Sequence, residues 1–315
     1  MTKVVKYLGL KQEDTPLTEE AAPAVYMKCT NYKPGQSQTW KKEKGIGTST
    51  LVDASLMEEF SEPSADIFVS TENGLPEILK HVIGDPTSAQ QAATSAYKHT
   101  YKSDDTLETF TIFCGSEDLT EEPYPGCVIT SVELKSSPGE FLMATINWYG
   151  KKKGADNSIN SPTYTTVKTL DHIDLKVEVD DTDISQYVGA VSVSFNPNFA
   201  TGEFTAGSTE IQNVPKNQDR EVAWSIEIPR YTNELRTHFN AGTEPKIEII
   251  WTGANIEDTY YYKVYVHIPA AICDTYGHDV NERNPEPHTF SGFAIYDTSA
   301  TSDVVVEITN TDTDI

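Results

Sequence analysis

Short runs in which apolar and polar residues alternate dominate the chain from Val25 onward. In Val191–Phe195 the apolar residues alternate with serine, and Glu221–Ile228 repeats the pattern over eight residues. Successive side chains of a β-strand point to opposite faces, so this alternation places all the apolar side chains on one face. The pattern therefore predicts strands with one buried and one polar face.

Similar segments, rich in β-branched and aromatic residues and bounded by Gly, Pro, Asn and Asp, recur through the chain. The predicted strands are Asp66–Ser70, Leu107–Cys114, Cys127–Lys135, Phe141–Trp148, His172–Val179, Val188–Phe195, Glu221–Ile228, Lys246–Trp251 and Tyr260–Ile268. Pro138-Gly139 predicts a hairpin turn, because Pro presets φ for the second position of a tight turn and Gly accepts the third. The fold class is mainly β (α+β) and antiparallel, with few helices.

Two short helices are predicted, over Leu75–Ile83 and Thr232–Asn240. Pro76 suits the first turn of a helix, and Gly84 and Gly242 suit the positions just after a helix end. Each helix follows a predicted strand.

The two helices resemble each other. Glu77–Val82 and Glu234–Phe239 share Glu, His and two apolar positions at an offset of 157 residues, about half the chain, and similar segments surround both. This predicts a tandem duplication, with a first domain over 25–155 and a second over 156–315 that includes a C-terminal extension. One domain with a large insertion is the alternative.

Two segments lack strand periodicity. Residues 1–24 are rich in acidic residues and proline, which predicts an extended N-terminal arm. Lys33–Glu62 is predicted to be a long loop, and loops of about 30 residues within a domain are uncommon unless functional or disordered. Its large apolar residues are candidates for docking between successive subunits, with a small satellite core as the alternative. These candidates are Trp40, Leu56, Met57 and Phe60.

The formal net charge of −24, with 20 Lys and only 4 Arg, argues against a protein that grips nucleic acid through a basic face. Adaptation to high salt is the alternative explanation, but it usually suppresses Lys.

No apolar run approaches the roughly 20 residues that a membrane helix needs, and no signal peptide is recognisable, so folding in the cytoplasm is expected. Cys29, Cys114, Cys127 and Cys273 are far apart and are expected to be buried free thiols.

Catalytic and metal motifs were sought among the histidines and glycines. No spacing typical of a zinc protease joins the seven histidines, and Gly45-Ile46-Gly47 lacks the third glycine of a nucleotide loop. His278-Asp279 with Asp274 could hold a cation, but a polar loop explains them equally. The chain is therefore expected to be neither an enzyme nor a cofactor- or metal-binding protein.

Several stretches in succession carry a resemblance to a known family. They are Gly74–Gly84, Tyr97–Lys102, Leu107–Ile112, Gly126–Ile129, Ser137–Glu140, Trp148–Gly150 and Ile268–Ala271. In this order the chain resembles the tail tube, or major tail, proteins of long-tailed (siphovirus-type) phages and related archaeal tailed viruses.

The resemblance implies an antiparallel β-sandwich or barrel with flanking short helices, in which six domains close a ring around one continuous β-barrel. Hairpins and terminal arms link stacked rings into a tube. A duplicated chain needs three copies per ring and a single-domain chain six. The implied partners are other copies of the chain, a tape-measure protein and tail-terminator or tail-tip proteins, with viral DNA passing through the lumen without specific binding. The implied location is the virion tail, after synthesis in the host cytoplasm.

Within such a ring, alternate polar residues of the inner strands would face the lumen. The candidates are Ser192, Ser194, Glu221, Ser225 and Glu227, with Asp66, Ser70, Lys28, Thr30 and Phe68 as first-half equivalents. One slip of register would invert the face. The row Tyr260-Tyr261-Tyr262 with Tyr265 leaves an alternative open, a surface or secreted glycan-binding β-sandwich, because sugars stack on exposed aromatic rings.

Overall fold

The structure is a computed structural model that describes residues 6–44, 50–51, 53–104, 108–115, 120–199, 202–215, 219–229, 232–277, 280–281, 284–285 and 288–313. The candidate pair His278-Asp279 and the Gly45-Ile46-Gly47 segment lie outside these residues.

Among the described residues, the first half contains twelve strands and one helix. They are β1 (Tyr7–Gln12), β2 (Val25–Met27), β3 (Cys29–Lys33), β4 (Gln36–Glu43), β5 (Asp53–Ser61), β6 (Ser64–Phe68), α1 (Leu75–Val82), β7 (Thr87–Gln90), β8 (Tyr97–Lys102), β9 (Phe110–Gly115), β10 (Thr120–Ser136), β11 (Met143–Lys151) and β12 (Asn157–Ser158).

In the described part of the second half there are thirteen strands and one helix. They are β13 (Leu175–Val179), β14 (Thr182–Asp183), β15 (Val191–Asn196), β16 (Glu203–Phe204), β17 (Ile211–Asn213), β18 (Glu221–Ile228), α2 (Glu234–Ala241), β19 (Ile247–Glu257), β20 (Tyr260–Ile268), β21 (Ala271–Gly277), β22 (Val280–Asn281), β23 (Asn284–Pro285), β24 (His288–Ala294) and β25 (Val305–Asn310). Single turns of 3₁₀ helix occur at His172–Asp174 and Ser185–Tyr187.

The predicted mainly antiparallel fold is confirmed, and both helices form where their sequence signals lie. The bounds of Glu221–Ile228 and Tyr260–Ile268 agree with the prediction, and the Pro138-Gly139 turn closes with Gly139 at φ 80°. The strand predicted from His172 begins only at Leu175. The Asp171 carboxylate accepts a hydrogen bond from the Ile173 amide and caps a 3₁₀ turn there, which delays the strand.

Eight antiparallel strands form a continuous sheet in the order β3-β6-β11-β10-β15-β18-β24-β21. This eight-strand sheet is the centre of the larger of the two main sheets. The strands β1, β2, β9 and β12 extend it on the N-terminal part of β10, and the β4–β5 hairpin extends it from β11. The long β10 serves both parts because it bends at Gly126, where φ is 62°.

The eight-strand sheet contains one strand order twice. Its first four strands come from residues 29–151 and its last four from residues 191–294. In each set the spatial order is first, second, fourth, third along the chain. The helix of each half follows the second strand and packs against the third, α1 on β10 and α2 on β21.

The second main sheet has the order β14-β13-β19-β20-β25-β8-β7 and also draws on both halves. The two sheets form sandwich-like layers around one hydrophobic core, to which both halves and both helices contribute. Among the described strands the layers keep open edges, so the sandwich rather than the barrel form of the prediction applies to the single chain.

The N-terminal segment differs from the extended arm expected over residues 1–24. Tyr7, Leu8 and Leu10 in β1 are each about 1% exposed, and β1 lies between β2 and β9. Buried Glu13 ties the following turn to the sheet by accepting hydrogen bonds from the Gly126 amide and the Thr111 hydroxyl. Gly9 and Lys11 interrupt the apolar pattern, which hid the strand from the sequence interpretation.

Candidate assembly surfaces

One face of the eight-strand sheet is polar and half-exposed, and the other packs on the core. Across β15 and β18, Ser192 lies opposite Ser225, and Ser194 lies opposite Ala223. Directly opposite residues of an antiparallel pair share a face. Glu221 and Glu227 lie on the same face as Ser225, because each is an even number of residues away along β18. The five second-half candidates therefore share one surface, although whether that surface lines a lumen stays a prediction.

The polar face continues into the first half. Glu133 and Lys135 of β10 lie opposite Ser194 and Ser192. Next along the sheet, the Asp66 carboxylate accepts hydrogen bonds from Thr145 Oγ1 (2.7 Å) and Asn31 Nδ2 (2.7 Å). The structure thus brings Asp66 onto the same surface as the second-half candidates.

The remaining first-half candidates divide. Phe68 shares the polar face opposite Met143, and Thr30, on edge strand β3, is exposed and bonds to the Asp66 carbonyl. Lys28 lies just before β3, and its carbonyl accepts from the Phe68 amide. Ser70 differs from the others, because it follows the end of β6 and is only 2% exposed.

The sequence interpretation missed the β10 and β11 contribution to this face. The alternation Val132-Glu133-Leu134-Lys135 and its partner across the hairpin carried the signal, but no face was assigned to that hairpin. Carboxylates outnumber cations on the polar face of the first six strands. The acidic residues are Asp66, Glu133, Glu221 and Glu227, and the basic ones are Lys33 and Lys135.

The segment expected to be a long loop is instead the β4–β5 hairpin. Each strand of the hairpin satisfies the backbone hydrogen bonds of the other, so the segment needs no core of its own. Trp40 lies opposite Leu56, and its indole N–H donates to Gln38 Oε1 (3.3 Å). Trp40 is 49% exposed and Met57 46%. The outer part of the hairpin thus carries three of the four docking candidates, with Trp40 and Met57 exposed and Leu56 half-buried.

Phe60 lies at the base of the hairpin and packs on Tyr149, with ring centroids 5.4 Å apart. This packing belongs to a small second core around Val128 and Ile211. The satellite-core alternative therefore applies to Phe60.

A charged clamp holds the base of the hairpin. The Lys152 ammonium lies 2.9 Å from Glu210 and 3.3 Å from Glu59. The hydrogen bonds to Glu210 and Glu59 raise the pKa of Lys152. Glu210 belongs to the short connection between β16 and β17, and the Glu59 amide donates to the Thr209 carbonyl (2.7 Å). The connections of the two halves are thus pinned to each other beside β11.

The two outer strands of the eight-strand sheet are β3 and β21. Within the described residues β3 pairs only with β6, and β21 only with β24. Each presents one row of backbone amides and carbonyls that can accept another strand. Cys29 on β3 and Cys273 on β21 are half-buried and pack against the core, whereas Cys114 and Cys127 are fully buried.

The histidine and tyrosine candidates make contacts that belong to the packing of the fold. No group of three His, Cys, Asp or Glu side chains suited to a metal ion occurs among the residues that the structure describes. Burial lowers the pKa of His81 to about 3, and its Nδ1 lies 3.2 Å from the Glu108 carbonyl. In the tyrosine row, Tyr261 is 44% exposed, but Tyr265 is half-buried and donates to Glu248. The described part of the chain contains no helix long and apolar enough to cross a membrane.

A sandwich whose larger sheet repeats one strand order and carries a polar face, open edges and a projecting hairpin is typical of a structural protein suited to assembly. A family model described as phage tail tube protein matches residues 5–301, and the chain therefore belongs to that family. It is a component of the virion tail. A search of curated proteins gave no match.

Proposed function

We propose that this chain self-assembles into stacked rings that form the tail tube of a long-tailed, siphovirus-type virus, and that it has no catalytic role. The observation that carries the proposal is the eight-strand sheet with two open edges. Pairing an edge of one subunit with the opposite edge of the next satisfies both rows of backbone groups. Repeated around an axis, such pairing closes a ring.

The repeated strand order supports two tube domains per chain, over residues 25–155 and 156–315. Three chains then give the six domains that a ring of this family is expected to contain. Because each chain would contribute the eight strands of its continuous sheet, the three chains would make a barrel of 24 strands. A hexamer with one tube domain per chain remains the competing arrangement, and it predicts twice as many chains per ring.

The acidic polar face is proposed to line the lumen. A lysine or arginine that meets a phosphate releases counterions and adds binding free energy, so a wall rich in such contacts would hold DNA. Glu221 and Glu227 instead repel the duplex, and the neighbouring serines add only small hydroxyls. Viral DNA would pass during ejection without specific binding.

The β4–β5 hairpin is proposed to join successive rings through Trp40, Leu56 and Met57. Trp40 and Met57 are exposed in the single chain and Leu56 is half-buried, and a contact that buried their remaining apolar surface would be favourable by roughly 25 cal/mol per Å². A tape-measure protein inside the tube and tail-terminator or tail-tip proteins at its ends are the other proposed partners.

Negative-stain electron microscopy of purified protein, combined with native mass spectrometry of released rings, tests the proposal. Tubes with a central channel and a ring mass of three chains are expected. Six chains per ring would contradict the duplication but not the tube. A uniform monomer at all concentrations would contradict the tube itself and favour the glycan-binding alternative.

A further inference from the structure

The junction between the two halves of the eight-strand sheet provides a template for the junction between subunits. Within the chain, the third strand of the first half (β10) pairs antiparallel with the first strand of the second half (β15). Leu134 lies directly opposite Val193 there, and both are fully buried on the core face. At a ring junction the corresponding strands are β21 of one chain and β3 of the next.

Pairing registers identify the equivalent positions on β3. Ile67 of β6 and Trp224 of β18 are 157 residues apart, the offset found between the helices, and both are buried. Ile67 lies opposite Cys29, and Trp224 lies opposite Val193. Cys29 therefore holds the position in the first half that Val193 holds in the second.

The same reasoning identifies the equivalent positions on β21. Asp66 and Ala223, also 157 residues apart, lie opposite Thr145 of β11 and Phe293 of β24. One residue earlier on those strands, Ala144 lies opposite Leu134 and Gly292 lies opposite Cys273. Cys273 therefore holds the position of Leu134.

We propose that a ring closes by antiparallel pairing of β21 with β3 of a second copy of this chain, in the register that sets Cys273 directly opposite Cys29. The inference rests on the proposed ring, and it adds the register and the residues in contact. Both side chains pack against the core beside an open edge, and the pairing would bury each as the internal junction buries Leu134 and Val193. The thiols would complete the apolar core across the junction.

The pair would remain reduced without an added oxidant. Burial raises the pKa of Cys29, and burial with the neighbouring Asp274 carboxylate raises the pKa of Cys273 to about 11. The reactive thiolate is therefore scarce near neutral pH. Paired residues of an antiparallel sheet have Cα atoms about 4.5–5.5 Å apart, which lies within the range that a disulfide spans.

The test is oxidative cross-linking of assembled tubes with a diazene dicarboxamide. Two thiols become one disulfide, and the N=N bond of the reagent takes up both hydrogens and becomes a hydrazine. After thiol blocking and denaturation without reductant, dimers and a closed covalent trimer are expected, and dithiothreitol should return them to monomers. Cys29→Val and Cys273→Leu place the side chains of the internal junction at these positions. Each variant should still form tubes but give only monomers.

A second pair tests the register on the accessible polar face. By the same template Asn31 corresponds to Ser194 and Ile272 to Glu133, which lie opposite each other. In the Cys29→Val, Cys273→Leu background, Asn31→Cys with Ile272→Cys should therefore cross-link. Asn31→Cys with native Cys273 should not, because the two side chains leave opposite faces of the sheet.

The outcomes separate this inference from the proposed function. Intact tubes in which neither pair cross-links would overturn the register while leaving the tube in place. Efficient links in dilute monomer before assembly, or links that survive Cys29→Val, would also contradict it. Failure of the native protein to form rings at all would instead refute the proposed function.

Discussion

The two halves of the chain share a four-strand unit but differ in the connection between its first two strands. In the first half this connection is the β4–β5 hairpin, which spans Gln36–Ser61 and exposes Trp40. In the second half the described residues of this connection contain only the short β16–β17 pair, in which Ile211 is fully buried. The scaffold is thus repeated while the projecting element occurs once.

The difference has a physical rationale. In the proposed ring every four-strand unit would have to present the same two edges, which accounts for the recurring strand order. The short connection instead supports the long one, because Glu210 shares the Lys152 ammonium with Glu59. In the proposed ring, three chains would therefore carry six equivalent four-strand units but only three projecting hairpins.

The largest expected effect comes from removing the projecting hairpin. Replacing residues 40–57 by an Asn-Gly turn should leave the fold and ring closure intact but abolish elongation, because Thr39 and Glu58, which flank the turn, are already paired and the deletion spares Phe60 and the clamp. Electron microscopy should show single rings, with an unchanged far-ultraviolet circular dichroism shape. Trp40→Ala with Met57→Ala is the milder version, and Lys41→Ala, at an exposed position of the same hairpin, is its surface control. Long tubes from the deletion variant would show that the hairpin is not the stacking element.

The next effect concerns the shared core. Ile67 and Trp224 are equivalent, fully buried positions, and truncating either to Ala should cost about 3 kcal/mol of unfolding free energy. Because one core joins both halves, each variant should shift a single cooperative urea transition seen by both fluorescence and circular dichroism. Two separate transitions, only one of them shifted by each variant, would indicate halves that unfold independently.

A smaller effect distinguishes His81 and His238, which hold equivalent positions on the two helices. The unfolded chain binds a proton at His81 near pH 6.5 but the native chain only near pH 3, so stability is unaffected above pH 6.5 and falls below it. The expected loss is about 1.4 kcal/mol per pH unit between these values. His81→Gln should remove this acid sensitivity in urea unfolding at pH 7 and pH 5.

His238→Gln is the matched control, because His238 lies at the surface beside Asp180. The buried Glu77 carboxyl near His81 has a pKa raised by burial, and it contributes equally to native protein and variant. An unchanged slope in His81→Gln would show that other groups set the acid sensitivity.

Whether the sequence predicts a strand depends on whether the strand buries one face, both faces or neither. Glu221–Ile228 alternates strictly, since one face is buried and the other polar, and its bounds agree with the prediction. β9 is buried on both sides and shows no alternation, yet its aromatic and β-branched residues still predicted a strand over Leu107–Cys114. β8 mixes Tyr, Lys and His, a pattern that specifies no clear strand, and it was not predicted. The β4–β5 hairpin was missed because its strands are exposed on both faces, which leaves no hydrophobic period.

Which strands pair with each other was harder to predict from the sequence than where the strands lie. Period-two patterns indicate a face but not a neighbour. The second-half candidates share one face with Asp66 and Phe68, whereas Ser70 lies beyond the end of β6 and is buried. The β10–β15 junction joins residues about 60 positions apart and depends on the whole sheet. The similarity of the two helices at an offset of 157 residues indicated a repeat. The residues of the two halves that occupy equivalent positions could be identified only from the strand order and pairing in the structure.

The smallest expected effect concerns the charge of the polar face, where the two halves contribute different residues. Glu221→Lys with Glu227→Lys should leave rings and tubes intact, because both side chains project from the polar rather than the core face. If this face lines the lumen, the four charge units per chain that the two substitutions add would attract the duplex and slow genome ejection. Added salt should reduce the defect, because it weakens each phosphate contact.

The matched control for this charge reversal is Glu203→Lys with Glu43→Lys, which adds the same charge on the two exposed connections away from the sheet face. Ejection from virions carrying each pair, measured by DNA release at two salt concentrations, separates a local effect in the channel from a change in net charge. Equal slowing by both pairs would mean that total charge matters. Normal ejection by Glu221→Lys with Glu227→Lys, together with a ring reconstruction that places those residues in the channel, would show that DNA slides without needing an acidic wall.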